Sequence, residues 1–204
     1  MAKLSGSTSR PSYLELPLGR FLEAVSIAEP APAAGSVAAA AVALAAGLCV
    51  MAARLSTTQL DDAPDLATAA ERLRDRAASL CEADAAAYGL VIEAMRLPRE
   101  PDPEDRSGRI AAALSVATDV PLEVVQIGVK VAALAERIAA GGNPNLLGDA
   151  VTAALLADSG ARAAAALVVL NLGDFSEDDR TAQVAVLLAE AAESARSAWQ
   201  RIEP

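Results

Sequence analysis

Apolar positions along this chain recur at three- and four-residue spacings, the period of an amphipathic helix. Leu18, Phe21, Leu22 and Val25 share one face of a short helix from Pro17 to Ile27, which Glu29, Pro30 and Pro32 end. Ala31 to Gly35 reads as a tight loop. Ser36 then stands where its hydroxyl could cap a long apolar helix reaching about Ser56, by accepting an orphan backbone N–H. A third helix opens at Asp62 with Pro64 in its first turn and runs to Leu97, where Pro98 stops it. On it, Arg72, Ser79, Ala86 and Glu93 repeat along a wet side, and Leu73, Leu80, Ala87 and Ala94 along a dry one.

Arg99 to Ser107 is charged, holds Pro101 and Pro103, and reads as an exposed connector before a fourth helix reaching about Thr118. Pro121 begins a fifth, which the Gly141–Gly142 pair closes, since glycine tolerates the left-handed backbone that ends helices. Asn143, Pro144 and Asn145 make a turn, a sixth helix covers about Leu146 to Leu172, and a seventh starts at Ser176, which matches a capping box with Asp179, and reaches Ile202. No internal repeat breaks the pattern. We read residues 1–15 as a flexible tail and 16–204 as one helical domain.

Composition sharpens this into an all-α, Ala-rich bundle of long helices: hydrophobic residues make up 53% of the 204 residues and aromatics only 2%. Strands favour β-branched and aromatic residues, whereas Ala, Leu, Glu and Arg favour helix, and small side chains let helix axes approach closely. Alanine on more than one face of the long helices predicts a homodimer, since one chain cannot cover them all. A net charge of −10 argues against nucleic acid as a partner. Val37 to Ala53 is uncharged but mostly alanine, so it reads as a buried core helix and not as a membrane span. Cys49 and Cys81 sit in apolar helical contexts as small core hydrophobes, and the polar start Met1 to Arg10 lacks a signal peptide's apolar run, so a cytoplasmic location is expected.

Chemistry has few places to sit. The chain has no histidine, which removes the serine and cysteine triads and the usual imidazole zinc ligands, and no metal site is expected. No phosphate-binding glycine loop appears either. Proton transfer would rest on carboxylates, Tyr, Lys or the substrate. Asp84 shares an apolar stripe with Leu80, Ala87 and Val91, so it must be hydrogen-bonded, paired with an arginine of another helix or subunit, or functional. Tyr88 lies one turn on and Cys81 one turn back, facing the same cleft. Asp149, in the first turn of its helix after Asn143-Pro144-Asn145, suits either a dipole role or a polar ligand. Lys130 in its apolar run is either depressed in pKa or snorkels to water.

Read in order, these residues resemble the cyclodeaminase and methenyltetrahydrofolate cyclohydrolase family. The likeness runs from about Phe21 to Phe175 through Phe21-Leu22-Glu23, Pro30-Ala31-Pro32-Ala33-Ala34-Gly35-Ser36, Asp84-Ala85-Ala86-Ala87-Tyr88 and Ala94-Met95-Arg96-Leu97-Pro98. It continues through Arg106, Val120-Pro121-Leu122-Glu123, Gly142-Asn143-Pro144-Asn145, Asp149 and Asn171-Leu172. The resemblance implies a helical homodimer with a folate site near the subunit interface. It implies a tetrahydrofolate derivative as substrate and no permanently bound cofactor. The reaction would be either cyclisation of a formimino group with loss of ammonia or addition of water to a methenyl bridge. Asp84 and Asp149 would be catalytic, and Gly35, Ser36, Tyr88, Arg106, Asn143, Asn145 and Asn171 would bind substrate. Ala33 and Ala34 stand where the family has glycines, Gly148 where it has serine, and Leu167 where it has asparagine; Thr57 to Leu60 lacks its basic and aromatic patch. These departures motivate the alternative, a catalytically silent folate-binding or scaffold homologue.

Overall fold

The computed structural model describes residues 12–29, 31–98, 103–173 and 178–203. Within these, a 3-10 turn at Tyr13–Glu15 precedes α1 (Leu18–Ser26), α2 (Ala34–Arg54), α3 (Ala63–Met95) and α4 (Pro103–Gly141). A second 3-10 turn at Pro144–Leu146 leads into α5 (Leu147–Leu172), and α6 (Asp179–Trp199) follows. No strand occurs among the described residues, as the composition predicts. α2 lies between α3 and α5 with α4 behind it, and α6 packs on α4 and α5. Arg76 with Glu123 at 2.6 Å and Arg137 with Asp62 at 3.1 Å show α3 and α4 running in opposite directions.

Small residues set the spacing. α2 buries Ala38, Ala39, Ala45, Ala46, Ala52 and Ala53 against partners that are themselves mostly alanine and valine. Where α5 meets α2, a Cβ on Gly160 would lie 2.7 Å from Val42 Cγ2 and 3.2 Å from the Ala38 carbonyl. Where α4 meets α5, one on Gly128 would lie 2.9 Å from Ala161 Cβ. Both crossings need the missing side chain, because close helix approach leaves no volume for it. α1 buries nothing, and its neighbouring 3-10 turn is tied to α3 by the Tyr13 N–H donating to Glu82 at 2.9 Å.

Most boundaries fall where expected, and the wet and dry sides of α3 are as read: Arg72, Ser79, Ala86 and Glu93 are exposed, while Leu80, Ala87 and Ala94 are buried. Four expectations change. The connector is shorter, since Pro103 to Ser107 is already helical. The fourth and fifth helices are one, with Pro121 inside it. Proline leaves the carbonyl four residues back without its N–H. That carbonyl belongs to Ala117, and Asn171 Nδ2 on α5 donates to it at 3.1 Å, so the helix continues. The Gly141–Gly142 pair is not left-handed; the only positive-φ glycine described is Gly173 at 56°. Gly142 serves contact instead, because a Cβ there would meet the Ile138 carbonyl at 2.6 Å and Ser56 Oγ at 2.9 Å.

The fourth change concerns caps. α2 starts two residues before Ser36, with Ala33 at its N-cap, so Ser36 lies inside the first turn. α6 starts at Asp179, capped by Asp178, whose carboxylate accepts from the Arg180 N–H at 2.9 Å; Ser176 lies outside the described residues. By length and composition alone Ala34–Arg54, Glu104–Gly141 and Pro144–Leu172 could each cross a membrane. In this bundle 56% of the first such stretch is turned inward, as a core helix requires.

The Asn171 repair generates a testable cycle. Asn171→Ala leaves the Ala117 carbonyl unpartnered and should cost about 1–3 kcal/mol, whereas in a Pro121→Ala background, where the backbone N–H returns, the same change should cost clearly less. Urea denaturation of the four proteins measures the coupling, and equal costs in both backgrounds contradict it.

Candidate functional site

A helix that begins without a side-chain cap leaves its first N–H groups unsatisfied. α2 is such a helix, since Ala33 offers no acceptor. The acceptor comes from α3. Asp84 lies so close to the first turn of α2 that a Cβ on Gly35 would overlap its carboxyl group. The Ser36 hydroxyl donates to the Cys81 carbonyl at 2.7 Å, and its oxygen stands 3.3 Å from Asp84 Oδ2. A hydroxyl has one proton, which these two acceptors share, so the Ser36 hydroxyl donates to the Asp84 carboxylate as well as to the Cys81 carbonyl.

Electrostatics agree with this geometry. Burial pushes the Asp84 pKa up, while the Ser36 hydroxyl and backbone N–H draw it part of the way back. No ion pair to Asp84 occurs among the described residues, so within them no arginine neutralises it. It is a half-buried carboxyl held by a helix N-terminus, whose dipole favours the charged form while desolvation favours the neutral one. Such a group, its pKa raised by burial, can take up a proton more readily than a solvated aspartate or face a cation.

The other sequence candidates divide. Tyr88 continues the Asp84 stripe one turn on and is 46% exposed. Cys81 contributes its carbonyl only; its buried thiol is pushed up to about 11 and that of Cys49 to about 12, which keeps both protonated. Arg106 lies at the α3–α4 hairpin tip, donating to the Leu97 carbonyl at 2.9 Å and the Met95 carbonyl at 2.8 Å, so it caps the end of α3. Asn171 is engaged with Ala117. Asn143 donates through Nδ2 to the Leu55 carbonyl at 3.1 Å, accepts from the Asn145 N–H at 3.1 Å, and receives Ser56 Oγ against its own N–H at 2.9 Å. Asn143, Asn145 and Asp149 thus belong to the C-terminal end of α2. Gly35, Ser36 and Asp84 belong to its N-terminal end, about 31 Å away at 1.5 Å per residue. Lys130 is exposed, the snorkelling outcome.

One cluster shares only Asn171 with the sequence candidates. A cavity of about 170 Å³ is lined by Ala111, Leu114, Ser115, Asn171, Leu172, Asp178 and Arg180. Arg180 donates to Asp178 Oδ1 and Oδ2, to Asp119, and to the Ser115 carbonyl and hydroxyl at 2.8–3.3 Å. Its pairing holds the Asp178 carboxyl down at about 2. With its N–H groups engaged, Arg180 clamps α6 to α4 and offers nothing to an anion. The available signal was a cation in the first turn of a helix, which the dipole disfavours unless a partner is built for it. No group of three or more potential metal ligands occurs among the described residues.

Known proteins resemble the chain over nearly this whole extent. The family model described as formiminotransferase-cyclodeaminase matches residues 17–192. The methenyltetrahydrofolate cyclohydrolase of Methylorubrum extorquens is 32% identical over 183 residues, covering 84% of this chain and 88% of that protein. The formimidoyltransferase-cyclodeaminase of Sus scrofa is 32% identical over 209 residues, which cover 94% of this chain but 38% of that longer protein. Among solved structures, formiminotetrahydrofolate cyclodeaminase from Thermotoga maritima superposes with a TM-score of 0.76 at 25% identity, covering 92% of this chain and 94% of that one.

The unpaired Asp84 predicts a pH signature. Its folded pKa lies above the ordinary 3.8, so its contribution to stability is fully present below that pH and is lost as pH rises through the folded value. Asp84→Asn lacks this loss. The variant should therefore gain stability relative to the parent as pH rises from about 3.8, reaching a plateau once Asp84 has ionised. Denaturation curves of both proteins across that range check it; a difference independent of pH contradicts it.

Proposed function

The chain belongs to the formiminotransferase-cyclodeaminase family, and on that premise we propose that Asp84, held against Gly35 and Ser36 at the start of α2, is its reacting carboxyl group. The protein is an enzyme of folate one-carbon metabolism, a 5,10-methenyltetrahydrofolate cyclohydrolase or a formimidoyltetrahydrofolate cyclodeaminase. Both reactions pass through a tetrahedral carbon between N5 and N10 of the folate, and the methenyl form is a cationic amidinium. Ionised Asp84 would stabilise that cation. As water adds to the bridge carbon, the carboxylate takes one of its protons; as a carbon–nitrogen bond then breaks, that proton returns to the departing nitrogen, and the hydroxyl left on the carbon gives its own proton to solvent as it becomes the carbonyl. In the cyclising direction the same proton serves the leaving ammonia.

The observation that carries this reading is the combination of an unpaired, half-buried carboxyl with an open neighbour. Tyr88, exposed one turn further along α3, supplies a ring on which a flat pterin can rest. Asp149, Asn143 and Asn145 stand at the other end of α2 in the same chain, so only a second copy of the chain could bring them to this carboxyl. We read the protein as a soluble cytoplasmic homodimer that binds neither nucleic acid nor membrane and holds no permanent cofactor, with residues 16–204 folding as one domain.

The test follows the loss of 5,10-methenyltetrahydrofolate absorbance above spontaneous hydrolysis, beside ammonia release from the formimino substrate; whichever signal appears identifies the reaction. Asp84→Asn should lower kcat/KM at least about tenfold, equivalent to about 1.4 kcal/mol, without any loss of melting temperature. A parent protein that turns over neither substrate while still binding folate by calorimetry would instead be the silent homologue that Ala33, Ala34, Gly148 and Leu167 motivate.

A further inference from the structure

Among the side chains that the resemblance gives to substrate binding, Ser36 alone is fully buried, at 0% exposure. A group without surface cannot meet a ligand that arrives from solvent. Inside an apolar core a hydroxyl costs free energy unless it is hydrogen-bonded. The ordinary solution is the carbonyl four residues back on the same helix. Two other buried hydroxyls take it, Ser56 donating to the Ala52 carbonyl at 2.6 Å and Thr118 to the Leu114 carbonyl at 2.7 Å. Ser36 has no such carbonyl, because α2 begins only two residues earlier, at Ala34. Its hydroxyl crosses to α3 instead.

There it spans two acceptors on one helix face, the Cys81 carbonyl at 2.7 Å and Asp84 Oδ2 at 3.3 Å. Two acceptors suit a partner whose charge changes. When Asp84 is ionised, the Ser36 hydroxyl and backbone N–H both serve the carboxylate. When Asp84 takes up a proton, the hydroxyl keeps the Cys81 carbonyl, and its rotation about the C–O bond moves no heavy atom. In neither state is the buried hydroxyl left without a partner, which would cost free energy. Other titratable groups near Asp84 are few. α3 itself brings Tyr88, the Cys81 thiol and Glu82, which accepts from the Tyr13 N–H, and the 3-10 turn brings the exposed Glu15. α2 has no charged residue from Ala34 to Ala53, and α5 none from Ala163 to Leu172. On α4, Asp119 and Glu123 are engaged by Arg180 and Arg76.

We propose that Ser36 is a positioning residue and not a ligand of the substrate: its hydroxyl holds the Asp84 carboxyl against the first turn of α2, and turns toward or away from it as that carboxyl loses or gains the transferred proton. This assignment rests on the reading of Asp84 as the reacting group. A carboxylate that loses a hydrogen-bond donor is harder to ionise, so removing the hydroxyl moves the titration of Asp84 to higher pH. Substrate contacts stay as they were, because Ser36 makes none.

Ser36→Ala tests the assignment, with far-ultraviolet circular dichroism to check that the helices persist. Carbon-13 NMR follows the Asp84 carboxyl, its resonance assigned by its disappearance in Asp84→Asn. The Asp84 midpoint should lie at higher pH in Ser36→Ala than in the parent, and an unchanged or lower midpoint overturns the proposal. In the parent protein, which needs no Ser36 variant to fold, the Ser36 Cβ resonance should titrate with the Asp84 midpoint; a Ser36 signal indifferent to that titration overturns it equally. Turnover then separates positioning from binding. In Ser36→Ala the acid limb of kcat should move to higher pH while KM stays within about twofold of the parent. A raised KM with the limb in place is the signature of a substrate ligand and contradicts the proposal. A parent without turnover overturns the catalytic part of this role together with the folate reading, and the NMR midpoints still decide whether Ser36 holds Asp84.

Discussion

The close approach of helices with little larger than alanine between them is the constraint from which the rest of this structure follows. Gly128 and Gly160 mark the places where even a Cβ is too much. Gly35 is the same device at the site, and its consequence is chemical. With no side chain on Gly35, a carboxyl from α3 can lie against the first turn of α2. Asp84 consequently meets a hydroxyl oxygen, a backbone N–H and a helix dipole, and no counter-charge among the described residues. Packing that is structural in origin thus sets the proton affinity of the group at its edge.

The same packing explains what could be read from the residues alone. Helix positions and the faces of α3 were legible, because the period of polar and apolar positions survives even when alanine replaces larger residues. Asp84 was legible as a misplaced charge on the stripe of Leu80, Ala87 and Val91. What escaped depends on partners distant in sequence. Pro121 signals a helix start only if nothing replaces its N–H, and the replacement, Asn171, lies 50 residues away in the chain. Ser36 looks like a cap until Asp84 supplies the acceptor from another helix. Gly142 looks like a left-handed terminator until Ser56 and Ile138 are seen to crowd it. Arg106 looks available for a ligand until its carbonyl partners are known.

Family membership and site geometry constrain each other. The family supplies a substrate whose reacting carbon alternates between a cationic planar form and a tetrahedral one. The structure supplies a carboxyl whose charge is balanced between opposing influences, burial on one side and helix N–H groups on the other. A fully solvated aspartate would hold its proton too weakly, and one paired to arginine would not release its charge to a ligand. Substituting Ala33 and Ala34 for glycine leaves the contact intact, because Gly35 is the position that the carboxyl overlies.

Amide hydrogen exchange of the parent protein with and without 5,10-methenyltetrahydrofolate tests most directly whether the Gly35–Ser36–Asp84 contact is where the substrate binds. Slowing should concentrate in the first turn of α2, around Gly35 to Val37, and along α3 from Asp84 to Tyr88, and Asp84→Asn should abolish it. Slowing confined to the cavity between Asn171 and Arg180, or a pattern unchanged by Asp84→Asn, would contradict that role.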